Sequence, residues 1–502
     1  MSAPHYRNRD TPDSASFEKK DDSRLEGGVV MAPVLTAGTT NADAVATTIE
    51  DPKETARLIR KLDWHVLPIC SVLYLFSFLD RLTALSLSDK EYAAALSIFF
   101  SLYCLLEVPS NLILKKIGAK RWIPSIVVAW GIVMLLTGFS NNFAALLSWR
   151  LLLGAAECGL FPGITYYLTI LYPRRSIQLR VGLFFSAATI AGAFGGLLAF
   201  GLAKVEAGKY EGWSFIFFVE GALTIVVGVL AYFLLFDGIE KAPFLTESEK
   251  VYMSDCVHFD GNDIPMNDEF AWKFVWAGLK DWKTLFTLIC YVTTITPLYS
   301  TALTLPSILS NSLKYNTIDS NLYTVPVYTV ASVTVVIFAY FSDHLGICFP
   351  FICLGTLLSG IGWGLSLNYA QTHPKIAYGA QFISAAGSYA AFPSVVASLT
   401  QTIGGKTKRS VCIAIIVGFG GLAGTISSNI FPKKQAPYYH HAHYINIGMN
   451  AVAFLSALSF AGLLYLANKR MGRMVDSGEA ARLTKEEIAD MGDESPYFKY
   501  RY

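Results

Sequence analysis

Charge is scarce in this chain. Its 502 residues include 40 Lys and Arg and 38 Asp and Glu, 16% in all, against 53% hydrophobic residues. A soluble domain of this size needs far more charged surface. The formal net charge of +2 offers no basic face, so no nucleic-acid partner is expected. Cysteine supplies no framework either. Cys70, Cys104, Cys158, Cys256, Cys290, Cys348, Cys353 and Cys412 are scattered, mostly inside apolar runs, and read as small apolar filler. Nucleotide loops, nucleophile motifs and metal-ligand sets are missing, so neither enzymatic activity nor a cofactor or metal is expected. The polar start, MSAPHYRNRDTPDSASFEKKDDSRLEGG, lacks the apolar core of a cleaved signal peptide.

Apolar length is what the chain has instead. After a polar stretch over 1–50, expected to be a disordered tail, PKETARLIRKLD (52–63) predicts a short basic helix on a membrane surface. Twelve apolar runs follow, each about 20 residues as a bilayer requires. They cover 64–87, 92–114, 121–141, 143–172, 180–203, 213–236, 284–306, 322–341, 347–368, 375–400, 410–431 and 445–468. The polar stretch 237–283 divides six from six. The expected fold is therefore an all-α integral membrane protein, with six-helix bundles over 51–236 and 284–468 and a tail over 469–502. Lys and Arg crowd alternate loops: Arg57, Arg60 and Lys61; Lys115, Lys116, Lys120 and Arg121; Arg174, Arg175 and Arg180; Lys406, Lys408 and Arg409; Lys469 and Arg470. The positive-inside rule then places both termini and the central loop in the cytoplasm.

The stretch WRLLLGAAECGLFPG (149–163) departs from this apolar pattern. It carries Arg150 and Glu157 at bilayer depth, on the same helix face as Gly154. A charge there costs several kcal/mol or more unless it is paired, hydrated or facing a cavity. A static ion pair locking two helices is the plain alternative to a working site. Glu107 in CLLEVPSN and Glu220 in FFVEGAL are further acids inside spans. Glu107 is expected to brace Lys115, Lys116 or Arg121 in a gating network, and Glu220 to serve helix packing or an outer gate. The second half has almost no intramembrane charge. It offers Tyr291, Tyr299, Tyr323, Tyr328, Tyr389, Gln381, Gln401 and Asn429, which can orient a solute by neutral hydrogen bonds or simply pack. His440, His441 and His443 are expected in a solvated loop rather than a metal site. The glycines of FSAATIAGAFGGLLAFG and VGFGGLAGT mark close helix packing.

NLILKKIG (111–118) and AYFSDHLG (339–346) recur at six-span spacing, and both resemble the G-x-L-x-D-R-x-G loop of the major facilitator superfamily. Lys115 stands where the first copy has Asp; Asp343 keeps it in the second. LSIFFSLYCLLEVPSNLILKKIGAKRWIPSIVVAWGIVMLLTGF, RLLLGAAECGLFPGITYYLTILYPRR, GWSFIFFVEGALTIVVG and SSNIFPKKQAPYY resemble that superfamily's anion:cation symporter branch, in its fungal allantoate-permease-type group. The resemblance implies a proton-coupled importer of a small organic anion, with known substrates such as ureido acids, nicotinate, pantothenate and biotin. It assigns Asp80 and Glu157 to proton coupling and Arg81 to the substrate carboxylate; Arg150, Tyr291, Tyr299, Tyr389 and Gln381 join it as binding candidates. Asp80–Arg81 is followed by only LTALSLSDKE before Tyr92, roughly a dozen residues fewer than the family pattern. A monomer in the plasma membrane is expected. The rival class is a transporter-like nutrient sensor, which binds the anion without accumulating it.

Overall fold

The computed structural model describes residues 51–79, 89–202, 212–258, 272–313, 320, 322–404, 406–431, 435, 438–484, 487–488 and 491–502. Among them there is no strand. The first half holds α1 (Pro52–Leu79), α2 (Asp89–Ile117), α3 (Ala119–Thr137), α4 (Phe143–Glu157), α5 (Leu160–Leu171), α6 (Ile177–Leu202) and α7 (Gly212–Leu234). Two shorter helices, α8 (Glu247–His258) and α9 (Trp272–Lys280), lie in the central connection. The second half holds α10 (Trp282–Leu313), α11 (Thr324–Leu345), α12 (Phe349–Tyr369), α13 (Pro374–Thr402), α14 (Lys406–Asn429) and α15 (His440–Asp476). Eleven spans among the described residues are long and apolar enough to cross a membrane. The helix of the first expected span, α1, is described only to Leu79 and packs on α6 and α7, completing a twelve-helix fold.

Helices α4 and α5 form one span, Phe143–Leu171, with a break at Cys158–Gly159. Pro162 explains it: proline has no N–H to return to the Cys158 carbonyl and its ring crowds that carbonyl. The hydrogen bonds resume with Gly163 N–H to the Gly159 carbonyl at 3.1 Å.

One segment differs from the sequence expectation. The basic stretch 52–63 is not a separate surface helix; it is the first part of α1. No breaker separates Asp63 from Trp64, and Leu58, Leu62, Val66, Cys70 and Leu73 form one fully buried stripe across the join. Its basic side chains grip the central connection instead of a lipid surface. Arg57 and Lys61 reach Glu249 of α8 at 2.7 and 2.9 Å. Lys61, the Thr246 amide and Arg57 hold the Glu249 carboxyl down at about 2.

The tail residues 491–502 fold back onto the bundle. Asp493 and Tyr500 are buried against the starts of α10 and α14. Asp493 takes Lys283 at 2.5 Å and Lys408 at 2.9 Å, and Asp281 takes the same two lysines at 3.2 and 2.6 Å. Tyr500 exchanges backbone bonds with the Asn468 side chain at 2.8 and 2.9 Å.

Within each half the helices pack on their neighbours. The halves meet along α2 with α14 and α6 with α11, and α13 also touches α6. Glycines make these contacts close, as expected. On α14, Gly418, Gly421 and Gly424 face Glu107, Tyr103 and Phe100 of α2. On α6, Gly182 and Gly192 face Ala339 and Tyr328 of α11.

Candidate functional site

Arg150 and Glu157 are both buried on α4, at 3% and 8% exposure. Seven residues apart, they stand about 10.5 Å from each other along the helix axis. The Arg150 guanidinium lies 5.4 Å from the ring centre of Phe217 on α7, within cation–π range. Glu220 follows Phe217 by three residues on the same face of α7 and is also buried. Glu157 is the last residue of α4 before the break, beside the last carbonyls of that helix. Between the two charges, Gly154 abuts α2: a Cβ there overlaps the Phe99 backbone carbonyl. Gly154→Ala is therefore expected to cost about 1–3 kcal/mol by overpacking. Gly364, with nothing within 4 Å of an added Cβ, serves as the control. Equal thermal midpoints for the two variants in detergent would show that α2 yields freely.

Below Glu157, toward the loops rich in Lys and Arg, the seam between the halves is closed in layers. Eight aromatic rings come first. Phe161 and Phe185 of the first half meet Tyr389 and Phe392 of α13, with Phe184 stacked on Phe161 behind them; Phe161–Phe392 and Phe185–Phe392 centroids are 5.9 and 4.6 Å apart. Tyr74 stands 4.5 Å from Phe184, Tyr291 5.0 Å from Phe392 and Tyr328 6.0 Å from Tyr389. All eight are buried. Next comes a neutral layer. Gln178 donates to Ser394 at 2.7 Å, Cys348 donates to Gln178 and Gln401, and Asn111 donates to the Ser410 carbonyl at 3.2 Å.

Ionic contacts lie at the same end, with Gln178 and Arg180 both in the first turn of α6. Arg180 forks onto Asp63 of α1 at 2.6 and 2.9 Å and reaches Asp343 of α11 at 3.4 Å. One planar guanidinium thus ties three helices and both halves. Lys115 donates to Thr407, and Arg174 donates to the Gln401 carbonyl at 3.5 Å while its guanidinium covers Phe498 of the tail at 4.4 Å.

The remaining candidates fall in different places. Tyr291 and Tyr389 lie in the aromatic layer, whereas Tyr299 stands higher, 5.8 Å from Phe100. Gln381 donates to Ser366 at 2.7 Å, inside the α12–α13 contact. Gln401 joins the neutral layer, and Asn429 is exposed and donates to Thr425 of its own helix at 2.8 Å. Lys116 and Arg121 are exposed. Neither Glu107 oxygen has a hydrogen-bond partner among the described residues. Asp80 and Arg81 lie outside the described residues. The histidines open α15 rather than filling a loop. His443 is buried 5.2 Å from the Trp363 ring, and His440 meets Gln371 at 3.0 Å. Among the described residues no group of three or more His, Cys, Asp or Glu could hold a metal ion.

Sequence reasoning passed over Asp63, Gln178, Phe161 and Phe392. Only Phe161 carried a signal, through its place in the AECGLFPG stretch.

Residues 67–428 match the family model of the Major Facilitator Superfamily. The chain is 32% identical over 470 residues to the MFS-type transporter cnsO of Penicillium expansum, covering 88% of this chain and 90% of that one. It is 28% identical over 467 residues to the major facilitator-type transporter hxnP of Emericella nidulans, covering 90% and 94%. Among solved structures it resembles the proton:xylose symporter XylE bound to 6-bromo-6-deoxy-D-glucose. The TM-score is 0.64 at 12% identity, over 80% of this chain and 96% of that one.

Proposed function

The chain belongs to the major facilitator superfamily and is a membrane transporter, and from that premise we propose that it imports a small organic anion together with protons. The observation that carries this reading is the α4 pair. A buried arginine and a buried acid share one face of a helix beside the seam between two halves. Arginine stays charged and presents a planar fork to a carboxylate. Glutamate at this depth can exchange a proton as the seam opens and closes. The resemblance of the Asp80–Arg81 pair to the symporter branch adds a second acid and a second arginine. Both termini and the 237–283 connection then face the cytoplasm, in the plasma membrane, with the layered closure on the cytoplasmic side and the protein acting as a monomer. Tyr291 and Tyr389 form the floor below the solute.

The test is an uptake screen across carboxylates, allantoate, nicotinate and pantothenate included, in cells lacking their own permeases. Accumulation should rise as the external pH is lowered. A pH-independent flux, or binding without accumulation, sinks the proposal, and the latter would make the protein a sensor. Arg81→Lys is expected to weaken apparent affinity about tenfold or more, because a point charge does not replace a planar bidentate donor. Unchanged affinity in that variant removes Arg81 from the anion site.

A further inference from the structure

Glu107 is the buried acid that the layered closure leaves out. It is fully buried on α2, ten residues and about 15 Å from the Ile117 end. Both its oxygens lack a hydrogen-bond partner among the described residues. Several other acids have cationic partners: Asp493 and Asp281 have two lysines each, Asp343 has Arg180, and Glu249 has Arg57 and Lys61.

Its carboxylate points across the seam. On the other side is Gly418 of α14, where an added Cβ would meet Oε2 at 3.1 Å. Among the described residues the titratable groups around it are Tyr103 and Cys104 on its own helix, Cys158 at the α4–α5 break and Tyr291 on α10. Tyr103 and Cys158 also feel Glu157, so the two acids share these neighbours. None of these groups is a cation.

An ionised carboxylate with no partner and no water is far more costly to bury than the neutral acid. With α2 and α14 in contact, the neutral form is the one this setting accommodates. Parting the two helices would wet the carboxyl and let the proton pass to water on that side. We propose that Glu107 is a second proton-carrying residue of the transport cycle, loaded while α2 and α14 touch and unloaded when the seam opens. This rests on the proton-coupled reading given above, and it adds a site whose occupancy is set by the contact between the halves.

The test uses infrared spectra of the purified full-length protein in lipid vesicles, titrated with pH and without solute. A protonated-carboxyl band present at neutral pH in the wild type should vanish in Glu107→Gln and return, shifted, in Glu107→Asp. Return in the Asp variant shows that the loss is not misfolding. Gly418→Leu wedges the seam apart, and the band should then disappear at lower pH than in the wild type. A neutral-pH spectrum identical in wild type and Glu107→Gln overturns the proposal; so does a Gly418→Leu titration that matches the wild type. In cells given labelled allantoate, nicotinate and pantothenate, Glu107→Gln should cut pH-driven accumulation about tenfold or more, with Glu107→Asp retaining part. Full accumulation in Glu107→Gln makes Glu107 a merely structural acid and also overturns the proposal. Wild-type cells that accumulate no carboxylate of the wider screen as external pH is lowered remove the proton-coupled anion reading, whereas a missing infrared band removes the Glu107 site alone.

Discussion

Glu157→Gln protein in liposomes, with an imposed pH gradient, is expected to lose concentrative uptake by about tenfold or more while still exchanging internal for external anion. Three features of the site lead to this. Glu157 is buried at the end of α4, where the unsatisfied carbonyls of the helix terminus carry partial negative charge. A permanent anion is poorly placed there; an acid that alternates between charged and neutral is better suited. Arg150, one face along the same helix, is the neighbouring positive charge of α4. A solute carboxylate drawn to Arg150 competes for that charge and favours protonation of Glu157. By linkage a proton on Glu157 favours the carboxylate to the same degree. Gln fixes the neutral form, so the solute still binds but no proton travels with it. Parent-level accumulation by the variant would leave Arg150 and Glu157 as a static pair locking α4.

Much of this arrangement was legible in the chain, for physical reasons that differ by element. Membrane spans announce themselves because lipid requires about 20 apolar residues in a row. Gly418, Gly421 and Gly424 signalled a close contact because nothing else explains small residues at that spacing in a span. Arg150 and Glu157 stood out because charge at bilayer depth is costly. The break after Glu157 was written in Pro162, which removes a backbone N–H four residues beyond Cys158. What the chain did not disclose is pairing between distant segments. Arg180 meets Asp63 across 117 positions, and Lys283 meets Tyr500 across 217. Polar residues at helix ends look alike whether they face water or another segment. The stretch 52–63 misled for the same reason: its basic face answers Glu249, nearly two hundred residues on. Phe392 was hidden, and the partner of Phe161 with it, because aromatic residues in a span signal burial without saying against what.

Asp493→Ala should have the largest structural effect in the molecule. Lys283 is fully buried, and Lys408 nearly so, and Asp493 bonds both. Removing one member of a buried charged group leaves the others uncompensated, at a cost of about 3–5 kcal/mol. Asp281 remains, but one carboxylate then faces two ammonium groups. The bundle need not unfold to relieve this. Residues 491–502 can lift away and let water reach the lysines, so the loss is expected first as local opening. Tyr500, which donates to the Asp493 carbonyl at 2.6 Å, and Phe498 beneath Arg174 would leave with it. Hydrogen exchange and limited proteolysis of the tail read this directly, and the spans should stay protected. The pH dependence follows from the charges. Burial alone would raise the Asp493 carboxyl, but Lys283 and Lys408 outweigh it and hold it below the ordinary carboxylate range. A group lowered on folding contributes its full stability above its unfolded value of about 3.9 and loses it as the pH falls through the folded value. Tail protection in the wild type should therefore be flat from neutral pH to about 5 and fall in stronger acid. The Asp493→Ala tail should be open throughout, and equal protection of the two proteins at neutral pH would show that Asp281 alone suffices for both lysines.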